Sequence, residues 1–324
     1  MQPQKRIILL SLSISILLML AKFTAYFVTS SNAILTDAAE SIVNVLASSF
    51  AFYSIYLAAQ PRDLNHPYGH GKVEFFSVFV EGCLVLIAGV LIAFKSFYNL
   101  FYPHEIQFLL NGTLIIGITG IINFILGYYL IKESRKFNSL TLFADGKHLQ
   151  TDAYTSAGLV AGLLLIYFTK LVYMDSILSI AIGIFIIYNG YKLVRKSVAG
   201  LMDESDFEIV DEVITILNDN RKESWIDIHN LRTQRYGTEL HIDCHLTLPY
   251  YFDLNKVHEE VSLVDELVNH TARVRTEFFI HADPCLPECC HYCRMPNCPV
   301  RSEPKKADIA WTMKNLTANQ KHFF

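Results

Sequence analysis

The chain has 324 residues, 52% of them hydrophobic and only 18% charged, with a net charge of −4 and a mean hydropathy of +0.30. That balance argues against a single globular domain and suits a membrane domain joined to a soluble one. The small net charge gives no electrostatic ground for a polyanionic partner, nucleic acid included.

Six apolar stretches are long enough to cross a bilayer core of roughly 30 Å. They run over Ile7–Val28, Ala33–Ala59, Phe75–Phe101, Phe108–Ile131, Thr141–Phe168 and Tyr173–Val194. The first is long and has no small-residue cleavage site after it, so it is expected to stay as a span rather than leave as a signal peptide. Lys5 and Arg6 precede the first span, and Arg62 and Lys72 lie between the second and third. Lys132, Arg135 and Lys136 lie between the fourth and fifth, and Lys192, Arg195 and Lys196 close the sixth. The opposite connections hold essentially only Lys170. By the positive-inside rule both termini are expected in the cytoplasm.

From about Asp203 the composition turns polar. Asp206–Asn220 reads as an amphipathic helix, with Ile209, Val210, Val213, Ile214 and Leu217 at helical spacing. Trp225–Thr233 reads as a strand. Thr238–Leu248 alternates apolar and polar positions, the mark of a half-buried strand. Leu254–His270 is a second amphipathic helix and Ala272–His281 a further strand. This helix–strand–strand–helix–strand order predicts a small α+β sandwich, one sheet covered on one side by two helices. Beyond it, Cys285, Cys289, Cys290, Cys293 and Cys298 account for five of the seven cysteines. A cytoplasmic tail keeps thiols reduced, which points to metal binding rather than disulfides. The last two dozen residues are polar and are expected to be disordered. The expected divisions are therefore residues 1–202, 203–284 and 285–324.

Two spans carry residues that are costly in hydrocarbon. Glu40 and Asn44 lie in the second, His148 and Asp152 in the fifth. Each pair is spaced i, i+4, which puts both side chains on one helix face, one turn apart. Two carboxylates, an amide oxygen and an imidazole can close a tetrahedral shell around one divalent ion. Single polar residues in spans often serve interhelical packing. Two such pairs on separate spans point instead to a metal path. Asp37, one turn before Glu40, and Glu81 in the third span are further intramembrane acids, read as packing or proton-relay residues. After the second span, Asp63, His66 and His70 offer oxygen and nitrogen ligands on a loop where Gly69 and Gly71 permit tight turns.

The runs Asp37-Ala38-Ala39-Glu40-Ser41-Ile42-Val43-Asn44, Asn65-His66-Pro67-Tyr68-Gly69-His70-Gly71-Lys72-Val73-Glu74 and His148-Leu149-Gln150-Thr151-Asp152 together resemble the cation diffusion facilitator family. The resemblance covers roughly residues 7–283. It implies an all-α six-helix transmembrane domain with a cytoplasmic α+β domain of ferredoxin-like, metallochaperone-like fold. It also implies a homodimer in the cell (inner) membrane that exchanges cytoplasmic divalent metal for protons, without organic cofactor or enzymatic chemistry. The transport site would be Glu40, Asn44, His148 and Asp152, and the cytoplasmic metal site His229, His245, His258, His281 and Asp283. Zinc-transporting relatives usually carry His or Asp where Glu40 stands and Asp where Asn44 stands. His148 favours zinc, iron, cobalt or nickel, while three oxygen ligands leave manganese open. Two rival readings are a membrane-anchored metal sensor or assembly scaffold, and a membrane metallohydrolase using the same ligands to activate water.

Overall fold

The computed structural model describes residues 3–29, 32–101, 110–169, 173–237, 239–271 and 276–322. The chain divides into two compact units, Met1–Leu201 and Met202–Phe324.

The first unit is built of helices. These are α1 (Pro3–Thr29), α2 (Asn32–Ala58), α3 (Val73–Phe101), α4 (Leu110–Phe137), α5 (Leu140–Thr169) and α6 (Tyr173–Leu201). They match the expected spans, with α4 and α6 running several residues further at their C-terminal ends. Among the described residues, Pro3–Thr24, Val73–Phe101 and Leu114–Phe137 are long and apolar enough to cross a membrane. Leu17, Phe94, Phe101 and Ile125 stay exposed, as side chains meant for lipid would be.

With no water to expel between helices in lipid, association relies on close packing, and small residues permit it. On α3, Gly82 and Gly89 lie against α6, where an added methyl would come within 2.9 Å of Val194 and Ile187 respectively. On α6, Gly183 and Gly190 return the contact, facing Ala93 and Leu86. Helices α4 and α5 meet at Gly127 and Gly146, each of whose added methyls would strike the other's carbonyl oxygen, at 2.7 Å and 2.9 Å. Polar side chains add specific ties. Glu74, buried at the start of α3, accepts from the Ser139 hydroxyl at 2.8 Å and the Thr141 amide at 3.3 Å. Asp145 of α5 accepts from Ser11 of α1 at 2.7 Å and Ser48 of α2 at 2.8 Å.

The second unit follows the expected order. Helix α7 (Phe207–Asp219) starts at Asp206, whose side chain accepts from the Ile209 amide at 3.5 Å. Strands β1 (Asp227–Tyr236) and β2 (Glu239–Leu248) form an antiparallel hairpin, with Gly237 at φ +63° in the turn. Helix α8 (Leu254–Thr271) then crosses over to β3 (Thr276–Pro284), so β3 pairs parallel to β2. The sheet order is β1-β2-β3. Leu240, Ile242, Cys244, Leu246 and Leu248 of β2 pack with Val213 and Leu217 of α7 and Val264 and Val268 of α8.

The C-terminal tail departs from expectation. A 3₁₀ turn spans Pro287–His291, and a short helix, α9, spans Met313–Leu316. The expected disordered segment instead packs onto the second unit, with Trp311 and Leu316 buried in its main core. Asn218 of α7 and Arg221, just past the end of that helix, donate to the Trp311 and Ile309 carbonyls at 2.8 Å and 2.7 Å. The Arg221 guanidinium lies 3.9 Å from the Trp311 ring centroid. Average polarity concealed a few widely spaced apolar anchors, Ile309, Trp311, Met313 and Leu316, that contribute burial out of proportion to their number. Trp311→Ala should therefore destabilise the second unit by about 3–5 kcal/mol, read as a lower midpoint of denaturant unfolding. A detached tail would leave that midpoint unchanged.

Candidate metal centres

The helix periodicity of α2 and α5 turns Asn44, His148 and Asp152 toward one another. Asn44 and His148 are buried, 8% and 6% exposed. The Asn44 amide bridges the other two. Its Nδ2 donates to Asp152 Oδ2, and its Oδ1 lies 2.9 Å from His148 Nε2. His148 Nε2 is 3.8 Å from the same Asp152 oxygen. One carboxylate, one amide and one imidazole thus converge between two helices, joined by hydrogen bonds through the Asn44 amide, while His148 Nδ1 is buried without a hydrogen-bond partner among the described residues. Glu40 lies one turn before Asn44 in α2, but its side chain, like that of Asp37, falls outside the described residues. Asp145 was not singled out from the sequence. It lies three residues before His148 and seven before Asp152, on the same face of α5, and is fully buried. That i, i+3, i+7 spacing was the available signal. Glu81 is fully buried in α3, its carboxylate without a hydrogen-bond partner among the described residues.

Between α2 and α3, Asp63, His66 and His70 come within mutual ligand distance. Asp63 Oδ1 accepts from the amides of Asn65 at 2.9 Å and His66 at 2.7 Å, and lies 3.0 Å from His66 Nδ1. Asp63 Oδ2 is 3.4 Å from His70 Nε2. The His66 amide, above all, with the His66 ring and the Asn65 amide, holds the Asp63 carboxyl below its ordinary range. Gly69, at φ +86°, makes the tight turn that returns His70 to the cluster.

In the second unit the strand register aligns His229, His245 and His281 across β1, β2 and β3. They stand on the sheet face opposite the two helices, because side chains alternate along a strand. The ring centroids are 5.0 Å apart for His229 and His245, and 4.7 Å for His245 and His281. Asp283, two residues beyond His281, reaches all three. It lies 3.5 Å from His229 Nε2, 3.3 Å from His245 Nδ1 and 3.4 Å from His281 Nε2. His229, His245 and Asp283 satisfy the mutual-distance requirement for a metal site. Behind them, Asp227 lies 3.7 Å from His229 Nδ1, the position of a carboxylate that orients a ligating imidazole. Burial, aided by His245 and Lys321 and opposed by Asp227 and Asp283, lowers the His229 pKa and so favours the unprotonated ring, the form that can ligate. His258 is exposed on α8 and joins no such group among the described residues.

The folded tail adds two residues here that the expectation of disorder had set aside. Lys321 Nζ lies 3.7 Å from Asp283 Oδ2 and donates to the Pro284 carbonyl at 2.9 Å. His322 hydrogen-bonds Asp227 through both its backbone amide and Nδ1. The five tail cysteines line a cavity of about 210 Å³ beside the end of β3.

Residues 8–202 match the family described as the cation efflux transmembrane domain, and residues 206–285 the cytoplasmic domain of cation efflux proteins. An uncharacterised transporter of Synechocystis is 30% identical over 260 residues, covering 80% of this chain and 84% of that protein. Protein p34 of Rickettsia prowazekii is 25% identical, covering 86% and 92%. The cation-efflux pump FieF of Serratia proteamaculans is 24% identical, covering 89% and 97%. With residues 8–202 matching the membrane domain of cation efflux proteins and residues 206–285 their cytoplasmic domain, this protein belongs to the cation diffusion facilitator family of membrane transporters.

Proposed function

We propose that the chain is a homodimeric exporter of a divalent transition metal, which it exchanges for protons across the cell (inner) membrane by alternating access. The observation that carries this reading is the convergence of Asn44, His148 and Asp152 between α2 and α5. Glu40, one turn from Asn44, is the fourth ligand of the proposal. With both carboxylates ionised and the imidazole neutral, the shell charge is −2 and balances a bare divalent ion. Zinc, iron, manganese, cobalt and nickel are the ions such a mixed set accommodates.

Proton exchange follows from ligand chemistry. Metal binds only the deprotonated carboxylates and the neutral imidazole, so a proton arriving from the opposite side displaces it. When neither is bound, the Asn44 amide supports the apo arrangement by donating to Asp152 and accepting from His148. A metal has to displace these contacts, so the site changes partners rather than standing bare in hydrocarbon. The loop cluster of Asp63, His66 and His70, and the sheet cluster of His229, His245, His281 and Asp283, bind further metal in this reading. The second serves regulation or dimer stability, while His258, on a helix that covers the other face of the sheet, is not among its ligands.

In proteoliposomes under an imposed pH gradient, the wild type should move one or two of these metals. Asp152→Ala should lower flux by more than the roughly 10–100-fold expected for losing an outer-shell partner, while folding and dimerisation survive. Unchanged flux in a folded variant would favour the sensor or scaffold reading.

The sheet cluster makes a separate prediction about pH. The His229 pKa is lower in the folded protein, so as pH falls the unfolded chain takes up that proton first. Its contribution to stability is complete above the ordinary imidazole value and is lost as pH falls below it, toward the depressed folded value. Thermal unfolding of the metal-free full chain should shift down between about pH 7.5 and about pH 5.5, with a smaller shift in His229→Asn. An equal shift in both would contradict this role for His229.

A further inference from the structure

The cysteines of the tail fall outside everything assigned so far. The cytoplasmic-domain match ends at residue 285, so Cys289, Cys290, Cys293 and Cys298 lie beyond it. All seven cysteines are free thiols. The tail places five of them around one cavity of about 210 Å³ that is walled on its other sides by apolar residues such as Ile226 and Leu286. Cys289 and Cys293 are buried, at 1% and 5% exposure, while Cys285 and Cys298 are partly exposed.

The backbone holds these thiols in place from several directions. Cys285 is fixed to the sheet, its amide donating to the Leu248 carbonyl at 2.9 Å. The 3₁₀ turn then sets Cys289 and Cys293 one turn apart, with the Cys293 amide donating to the Cys289 carbonyl at 3.0 Å. The Leu286 amide points at Cys289 Sγ, 3.5 Å away, which fixes the direction of that side chain. Arg301 closes the far side, donating to the carbonyls of Cys290, Cys293 and Met295 at 3.1 Å, 3.3 Å and 2.7 Å. Its fixed positive charge therefore stands within the loop that carries the thiols. Cys290 differs from the rest, its sulfur lying 3.6 Å from the Ser302 hydroxyl.

We propose that Cys285, Cys289, Cys293 and Cys298 form a four-thiolate site for a thiophilic divalent ion such as zinc or cadmium, separate from the histidine–aspartate clusters. A disulfide would use two of these thiols and leave the others without a role. A tetrahedral ion uses four, which the spacing Cys-x3-Cys-x3-Cys-x4-Cys supplies. Zn–S bonds of about 2.3 Å put the sulfurs nearly 4 Å apart, closer together than any three of them stand in the structure, where only the two histidine–aspartate groups meet the mutual ligand distance among the described residues, so binding has to draw the walls of this cavity inward. Each thiol gives up its proton to solvent on ligation. The resulting site carries two net negative charges, which Arg301 partly offsets. Occupancy would brace the tail whose far end brings Lys321 and His322 to Asp283 and Asp227.

The test is a titration of the reduced, metal-free full-length protein in detergent with cobalt(II), followed by absorption. Cobalt also binds oxygen and nitrogen ligands, but only thiolate ligation produces intense sulfur-to-cobalt charge-transfer absorption in the near ultraviolet. The expected result is such a band, saturating at one ion per chain and abolished by stoichiometric zinc. It should persist in His229→Ala and in Cys290→Ser, and be lost in the double variant Cys289→Ser/Cys293→Ser. Absence of the band in the reduced wild type would overturn the proposal, whatever the variants do. Its persistence in the double variant, or its loss in Cys290→Ser, would overturn the assignment of the four ligands. The readout involves no transport, so its failure leaves the exporter reading untouched, and the reverse holds too.

Discussion

A charged or hydrogen-bonding group in hydrocarbon costs several kcal/mol unless it has a partner, and that constraint organises the membrane unit. Asp145 answers it permanently, with hydroxyl donors from α1 and α2. Glu74 does the same at the start of α3, through Ser139 and Thr141. Asn44, His148 and Asp152 answer it with one another. The first two arrangements use fixed donors and hold helices together. The third is made of groups that can all ligate a metal, so the same atoms have two ways of being satisfied. That difference separates a structural polar contact from the proposed transport site within one bundle.

The glycines set the frame for these contacts. At the α3–α6 seam and at the Gly127–Gly146 crossing, backbones approach so closely that a single methyl would not fit. Helices held this tightly move as units rather than deform, which suits the rigid-body rocking of the alternating access proposed above. The polar residues can then sit at a few places where two helices present facing atoms.

The soluble unit uses a sheet where the membrane unit uses helices. Strand register is discrete, so pairing His229 with His245 and His245 with His281 puts three imidazoles in a row. The β1 irregularity between His229 and Arg232, with Asn230 at φ +55°, changes the side-chain alternation just past the cluster. At that point the Asn230 amide is free of the ladder and donates to the Ala318 carbonyl of the tail at 2.8 Å. One bulge thus positions the cluster's edge and docks the segment that brings Lys321 and His322 beside it.

Local pattern determined much of this protein. Apolar runs of bilayer length, period-two alternation in β2 and helical spacing in α7 and α8 follow from burying apolar surface against one neighbour, a requirement visible in any short window. The spacing of the polar pairs in α2 and α5 was legible for the same reason, since i, i+4 spacing fixes a shared helix face without knowledge of the partner helix. The tertiary structure decided which faces meet. It separated Asp145, committed to Ser11 and Ser48, from Asp152, which faces Asn44, although both are acids on one side of α5. It brought Asp283 to His229 while leaving His258 on an exposed helix position. It also folded a tail that looks disordered by composition, because a few separated anchors such as Trp311 found a core that no local window contains. Long-range pairing depends on the whole chain's packing, and spacing within one segment carries no record of it.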